Sequence, residues 1–162
     1  IYKKQHGAQA HYDKFILISP DAGASKKIYK LAEQISYKGN IITCSKDRDE
    51  NGKLTKCVVP YEERHCGTDK SIIIIDDICD GGNTFINIAK HFQNADFNGL
   101  NTKIYLIVTH GIFSKGFKEL SKYFDGIYCT NSYKDINSGH FYQEGSVELE
   151  KYQKKVQQLN IF

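Results

Sequence analysis

Short runs of aliphatic and β-branched residues recur along the chain, at FILIS (15–19), NIITC (40–44), SIIII (71–75), KIYLIVT (103–109) and GIYCT (126–130). Each has the length of a strand and is bounded by turn residues. Between them the apolar positions change period. Ile28, Leu31, Ala32 and Ile35 fall at i, i+3, i+4 and i+7, as do Phe85, Ile88, Ala89 and Phe92, and Phe117, Leu120 and Phe124 form a third stripe. Such spacing places each set on one face of a helix, turned toward a core. Strands apolar on both sides and separated by helices imply a parallel sheet covered on both faces, because a parallel connection needs a crossover. The pattern therefore predicts an α/β fold, doubly wound around a mainly parallel sheet.

Two stretches break the rhythm. Ser45 to Lys70 is long and polar, with CVVP as its one candidate strand, and is expected to be a functional or mobile loop. The tail SVELEKYQKKVQQLNIF fits either a strand followed by a helix or one helix. No internal repeat, low-complexity tract or Pro-rich linker divides the chain, so residues 1–162 read as one domain, long enough to bury about two thirds of its unfolded surface.

Composition narrows the function classes. A net charge of +3 is too mild to argue for nucleic acid and suits small anions better. Five scattered cysteines, Cys44, Cys57, Cys66, Cys79 and Cys129, show no close metal-binding spacing and point to a reducing, cytoplasmic setting with structural thiols. The longest aliphatic run, Ile72 to Ile75, is far short of a membrane span. The sequence contains no Met and does not begin with one, so a piece of a longer chain is one reading of it.

The most informative stretch is SIIIIDDICDGGNT, residues 71–84. Four isoleucines run into the core and end at Asp76 and Asp77, which are costly beside a buried run unless partnered. Ligands of doubly wound sheets sit beyond the carboxyl ends of the strands, which is where Asp76 to Thr84 would turn into the next helix. Gly81 and Gly82 allow close approach of backbone to an anion, and the free amides of a helix opening near Thr84 would face it. The carboxylates would repel a phosphate, so they are suited to sugar hydroxyls or a Mg2+ ion. The turn then fits a phosphorylated sugar. The plainer alternative is that Asp80 or Thr84 caps a helix and the aspartates are solvated.

The same stretch resembles the phosphoribosyl-pyrophosphate (PRPP) motif of type I phosphoribosyltransferase-like proteins. With SPDAGASKK (19–27), SKDRDE (45–50) and THGIFSKG (109–116), it is similar in order and spacing to the carboxyl-terminal half of ribose-phosphate pyrophosphokinases. Gly81 and Gly82 stand where Thr and a small residue are more usual, Asn83 where Gly is common, and Ala24 and Lys27 where Gly and Arg are. The resemblance implies that Asp76, Asp77, Asp80, Gly81, Gly82, Asn83 and Thr84 bind ribose 5-phosphate or PRPP, that Asp21 helps hold Mg2+ or ribose, and that Lys46 and Arg48 are a catalytic pair on a lid.

Read alone, Asp21 is a helix-entry residue, Lys46 and Arg48 are solvated charges, and His110 has a structural hydrogen-bonding role. His65 and Cys66 have no assigned chemistry. The implied reaction moves a pyrophosphoryl group from ATP to ribose 5-phosphate, giving PRPP and AMP. No GxxxxGK loop occurs, so the adenine and ATP contacts are expected from a preceding domain, often across subunits of a homo-oligomer. The alternatives are a phosphoribosyltransferase that consumes PRPP and a non-catalytic regulatory homologue.

Overall fold

The computed structural model describes residues 14–48, 50, 54–60, 70–94, 102–136, 152 and 154–160. Within them the apolar runs form β1 (Phe15–Ser19), β2 (Ile41–Thr43), β5 (Ser71–Cys79), β6 (Ile104–Gly111) and β7 (Gly126–Thr130) of one sheet, joined at the edge by β8 (Val156–Leu159). The order is β2-β1-β5-β6-β7-β8, and every pairing is parallel. Helix α1 (Ala22–Gln34) lies on one face, where Leu17, Ala24, Ile28, Ala32 and Tyr37 form a small cluster. The larger core lies on the other face, under α2 (Asn83–Asn94) and the single turn α3 (Leu120–Tyr123), with Ile74, Ile88, Phe92, Leu106 and Phe124 at its centre. The expected α/β class is the one observed.

Four sequence expectations need correction. The strand expected to end at Ile75 continues to Cys79, so Asp76 and Asp77 are strand residues, and Asp76 and Ile78 keep register with Val108 and His110. Of the first helical stripe, Ile28 and Ala32 are buried but Ile35 is an exposed helix-end residue. The chain leaves α1 through Ser36 at φ 55°, with Tyr37 N–H donating to the Ala32 carbonyl (2.7 Å) and Ser36 N–H to that of Glu33 (3.0 Å). That six-to-one closure is a Schellman ending, with serine in place of the usual glycine. Phe117, Leu120 and Phe124 are all buried as the third stripe required, yet only Leu120–Tyr123 is helical. In the tail, Val156–Leu159 is a strand parallel to β7. Its Val156 is buried beside Ile127, so cross-strand packing outweighs the helical look of the segment.

The polar segment also contains structure. Ser45–Arg48 (β3) and Leu54–Val58 (β4) pair antiparallel as a separate ribbon, with a register shift between Asp47 and Arg48. SKDR therefore lies on a strand. Residues 49, 51–53 and 61–69 of the expected loop lie outside the described residues, as do Tyr12 and Asp13 at the start of the resembling region. The ribbon is seated by Cys44, Cys57 and Val59, which pack against the larger core.

The burial contrast between sheet centre and sheet edge is testable. Leu106→Ala, at a fully buried position, should cost about 2–5 kcal/mol of unfolding free energy. Leu159→Ala, at a position 57% exposed on β8, should change it by about 0.5 kcal/mol or less. Urea denaturation followed by circular dichroism measures both.

Candidate active site

Strand order reverses between β1 and β5: the chain moves outward from β1 to β2, then returns past β1 and proceeds through β5, β6, β7 and β8. The connections from β1 and β5 leave toward opposite edges of the sheet, and the carboxyl ends of the strands at such a reversal are where a doubly wound sheet offers a crevice. Asp21 follows β1, and Asp76 and Asp77 sit near the end of β5. The topology thus brings together two of the segments singled out in the sequence.

Asp21 has a defined local job. Its Oδ1 accepts the Ala24 amide at 2.9 Å, capping α1, and its Oδ2 accepts the Lys46 ammonium at 2.7 Å. A residue from the antiparallel ribbon is thereby tied to the end of β1. Partial burial raises the Asp21 pKa, but the Lys46 ammonium and the amides of Ala24 and Gly23 outweigh it and hold the carboxyl below its ordinary value. Beneath it, Ser19 is fully buried and its hydroxyl bonds the Asp21 carbonyl at 2.7 Å. The Ser25 hydroxyl lies 3.0 Å from that of Thr43 and 3.3 Å from that of Ser19. These hydroxyls join the ends of β1 and β2 to the first turn of α1.

Alternation along β5 turns adjacent side chains to opposite faces. Asp77 pairs with Lys27 on α1, and this ion pair lowers its pKa. Asp76 is more enclosed; its Oδ1 accepts the Asp77 amide at 2.8 Å, and burial pushes its carboxyl up to about 6. The two aspartates therefore titrate apart, Asp77 staying ionised while Asp76 takes up its proton as pH falls through about 6, a division their sequence adjacency does not reveal.

The glycine turn follows. Gly82 has φ +77°, and a Cβ there would approach Leu120 Cδ2 to 2.9 Å, so both conformation and space demand glycine. Its carbonyl accepts the Ile86 amide at 3.0 Å, opening α2 one residue earlier than expected, at Asn83. The helix-opening geometry leaves first-turn amides directed out of the helix beside Asp80 and Gly81. A second loop supports the turn from below. The Cys79 carbonyl accepts the amides of both Ile112 (2.9 Å) and Phe113 (3.0 Å), and Phe113 is buried at φ 49°. Its ring occupies the space a side chain at Gly111 would need, with Cε2 at 2.3 Å from such a Cβ. This pins the segment carrying Lys115 over Gly81, where the lysine Cε lies 3.4 Å from the position a Gly81 Cβ would take. A cavity of about 180 Å³ opens there, lined by Gly81, Asn83, Lys90, Lys115 and Tyr123 among others.

Of the residues singled out, the structure brings Asp21 and Lys46 into contact and sets Asp80, Gly81, Gly82, Asn83 and Thr84 in one turn. Arg48 has its backbone on β3, but its side chain lies outside the described residues. His110 Nδ1 is 2.8 Å from the Ser132 hydroxyl, and the residue bridges to Asn131, as the structural reading of that histidine holds. Lys115 lay within THGIFSKG without being singled out, and the proximity of Cys44 to Cys57 was hidden by the twelve positions between them.

The raised carboxyl of Asp76 gives a pH signature. Its folded pKa, about 6, exceeds its ordinary 3.8, so between these values the folded state binds more protons than the unfolded one. Stability should then fall as pH rises through that window. Asp76→Asn, which cannot ionise, should lose this component of the fall; chemical denaturation of both proteins from pH 4 to 7 makes the comparison. An identical pH dependence in the variant would contradict the assignment.

No family model matches the chain. Among curated proteins it is similar to ribose-phosphate pyrophosphokinase of Mycoplasmopsis pulmonis, with 34% identity over 122 residues, spanning 74% of this chain and 36% of that protein. It is similar also to ribose-phosphate pyrophosphokinase 4 of Saccharomyces cerevisiae, at 30% over 123 residues, 75% of this chain and 35% of that one. Among solved structures, a crystal structure of phosphoribosylpyrophosphate synthetase from Mycobacterium smegmatis superposes with a TM-score of 0.63 at 18% identity, covering 93% of this chain and 43% of that chain. The chain spans about a third of the length of the curated relatives it matches. Its sequence is thus similar to ribose-phosphate pyrophosphokinases over about a third of their length, and its fold to that of a phosphoribosylpyrophosphate synthetase over most of its own.

Proposed function

We propose that this chain is the ribose-phosphate half of a ribose-phosphate pyrophosphokinase, joining a pyrophosphoryl group from ATP to the anomeric hydroxyl of ribose 5-phosphate to give PRPP and AMP. The observation that carries the reading is the Lys46–Asp21 contact at the reversal of strand order, which holds a cation over the crevice beside a glycine turn suited to a phosphate. In this reading the amides of Gly81 to Thr84 seat the sugar phosphate, and Asp77 and Asp80 accept hydrogen bonds from ribose hydroxyls. Asp76 belongs to the same set, and with a pKa near 6 it can give or take a proton near neutral pH. Lys46 and Arg48 stabilise negative charge on the transferring group, an electrostatic task that grows toward the transition state.

Magnesium fits this site only loosely. Among the described residues no three His, Cys, Asp or Glu side chains are grouped to hold a metal ion. Mg2+ commonly keeps several waters and takes one or two carboxylates with substrate phosphates, and Asp21 suits that arrangement if Lys46 yields one oxygen. The bound ion would offset charge on the polyphosphate. ATP recognition, an oligomeric assembly and a cytoplasmic setting come with the same reading, because relatives about twice as long have room for a further nucleotide-binding domain. No helix among the described residues is long and apolar enough to cross a membrane.

The test supplies the amino-terminal half, fused or as a partner, and measures AMP release that depends on ribose 5-phosphate. Residues 1–162 alone should bind ribose 5-phosphate or PRPP without making PRPP. In the complete enzyme Lys46→Ala should lower turnover by about two to four powers of ten, with ribose 5-phosphate binding changed by less than about threefold. Equal losses in binding and turnover would make Lys46 a docking residue. Consumption of PRPP with a purine or pyrimidine by the chain alone would replace the proposal with a phosphoribosyltransferase, and tight binding without either reaction would replace it with a regulatory homologue.

A further inference from the structure

Cys44 and Cys57, thirteen positions apart, meet at the base of the β3–β4 ribbon. Ser45 pairs with Val58 and Lys46 with Cys57, so Cys44, Lys46, Cys57 and Val59 share one face of the ribbon. The two thiols are diagonal neighbours on that face, and Cys57 packs against the core cluster to which Cys44 belongs. Cys44 is buried and Cys57 is half-buried, and both are free thiols. We propose that Cys44 and Cys57 form an oxidative modification site, a dithiol that closes to a reversible disulfide when a hydroperoxide is the oxidant.

The asymmetry of the pair assigns the order of events. The hydrogen bond from Cys44 lowers the Cys57 thiol to about 7, against a smaller opposing effect of burial. The nearby Lys46 ammonium lowers it further, while the Asp21 carboxylate opposes. The same hydrogen bond, with burial, raises the pKa of Cys44. Cys57 is therefore the thiolate that meets the oxidant. Its sulfur attacks the peroxide oxygen, breaking the O–O bond; it becomes a sulfenic acid and the other oxygen leaves as water after taking up a proton. Cys44 sulfur then attacks the Cys57 sulfur, the S–O bond breaks, and the leaving hydroxide takes the Cys44 proton to form a second water. Two electrons from the thiols have reduced the peroxide, and a dithiol reductant reverses the step.

The consequence falls on Lys46. A bond between positions 44 and 57 staples the ribbon at its base and enclosed within it is the lysine that reaches Asp21. The site itself does not depend on which reaction the protein catalyses. Trypsin separates the relevant cysteines, leaving Cys44 in peptide 39–46, Cys57 in 57–64, Cys66 in 65–70, Cys79 in 71–90 and Cys129 in 123–134.

Mass spectrometry after brief hydrogen peroxide treatment should find peptides 39–46 and 57–64 joined with loss of two hydrogens, and separated again by dithiothreitol. In untreated protein at pH 7, iodoacetamide should modify Cys57 at least about tenfold faster than Cys79 and Cys129, whose thiols burial pushes up to about 12 and about 11. In Cys44→Ser, Cys57 should stop at the sulfenic acid and be captured by dimedone. Linkage of 57–64 to 65–70 instead, or Cys57 reacting no faster than Cys79, would overturn the proposal using the unaltered protein alone.

Discussion

The pairing of β1 with β5 is the constraint on which the rest of the molecule depends. Phe15 to Ile18 lie in register against Ser71 to Ile74, both strands pointing the same way, although the chain between them runs out to β2 and through the ribbon. Parallel neighbours cannot be joined by a tight turn, so the intervening chain must travel, and right-handed crossovers place α1 on one face and α2 on the other. The carboxyl ends of the central strands then face a gap that neither helix closes. Asp21 and the β5 aspartates border that gap because these two neighbouring strands deliver them there.

Two hydrogen-bonding arrangements give the gap its walls. Asp21 is at once a helix cap and an ion-pair partner, so the position of α1 and that of the ribbon are set through one carboxylate. On the opposite side, the Cys79 carbonyl receives two amides from the loop after β6, fixing that loop against the glycine turn. Burying Phe113 in a left-handed conformation is the cost of this junction, and the space left by Gly111 makes it possible. Neither wall relies on a long loop finding its own conformation.

The fold was largely legible in the sequence because its strands are apolar on both faces and its two main helices have clean stripes. Ile16, Ile18, Ile72 and Ile74 are fully buried, as a sheet covered on both sides requires. Where reading failed, tertiary contacts had overridden local pattern. Asp76 and Asp77 looked like the end of β5, but its register with β6 carries it four residues beyond Ile75. SKDR looked like loop because its charges carry no apolar alternation, whereas its strand character comes from pairing with LTKCV. The candidate site was legible as segments. Its couplings were not: Asp21 with Lys46, Asp77 with Lys27 and Cys44 with Cys57 join positions 25, 50 and 13 residues apart, and spacing along the chain encodes none of them.

The Lys46–Asp21 pair has a consequence for how the crevice behaves in different salt concentrations. Its side chains are 17% and 34% exposed, enough for mobile ions to reach the pair. Dissolved ions screen charges over about 8–10 Å at physiological ionic strength. Added salt weakens the pull of the lysine on any anion near the crevice, but it also weakens the hold of the Asp21 carboxylate on that lysine. The two effects oppose each other, so the crevice is buffered against ionic strength in a way that a solitary surface lysine is not.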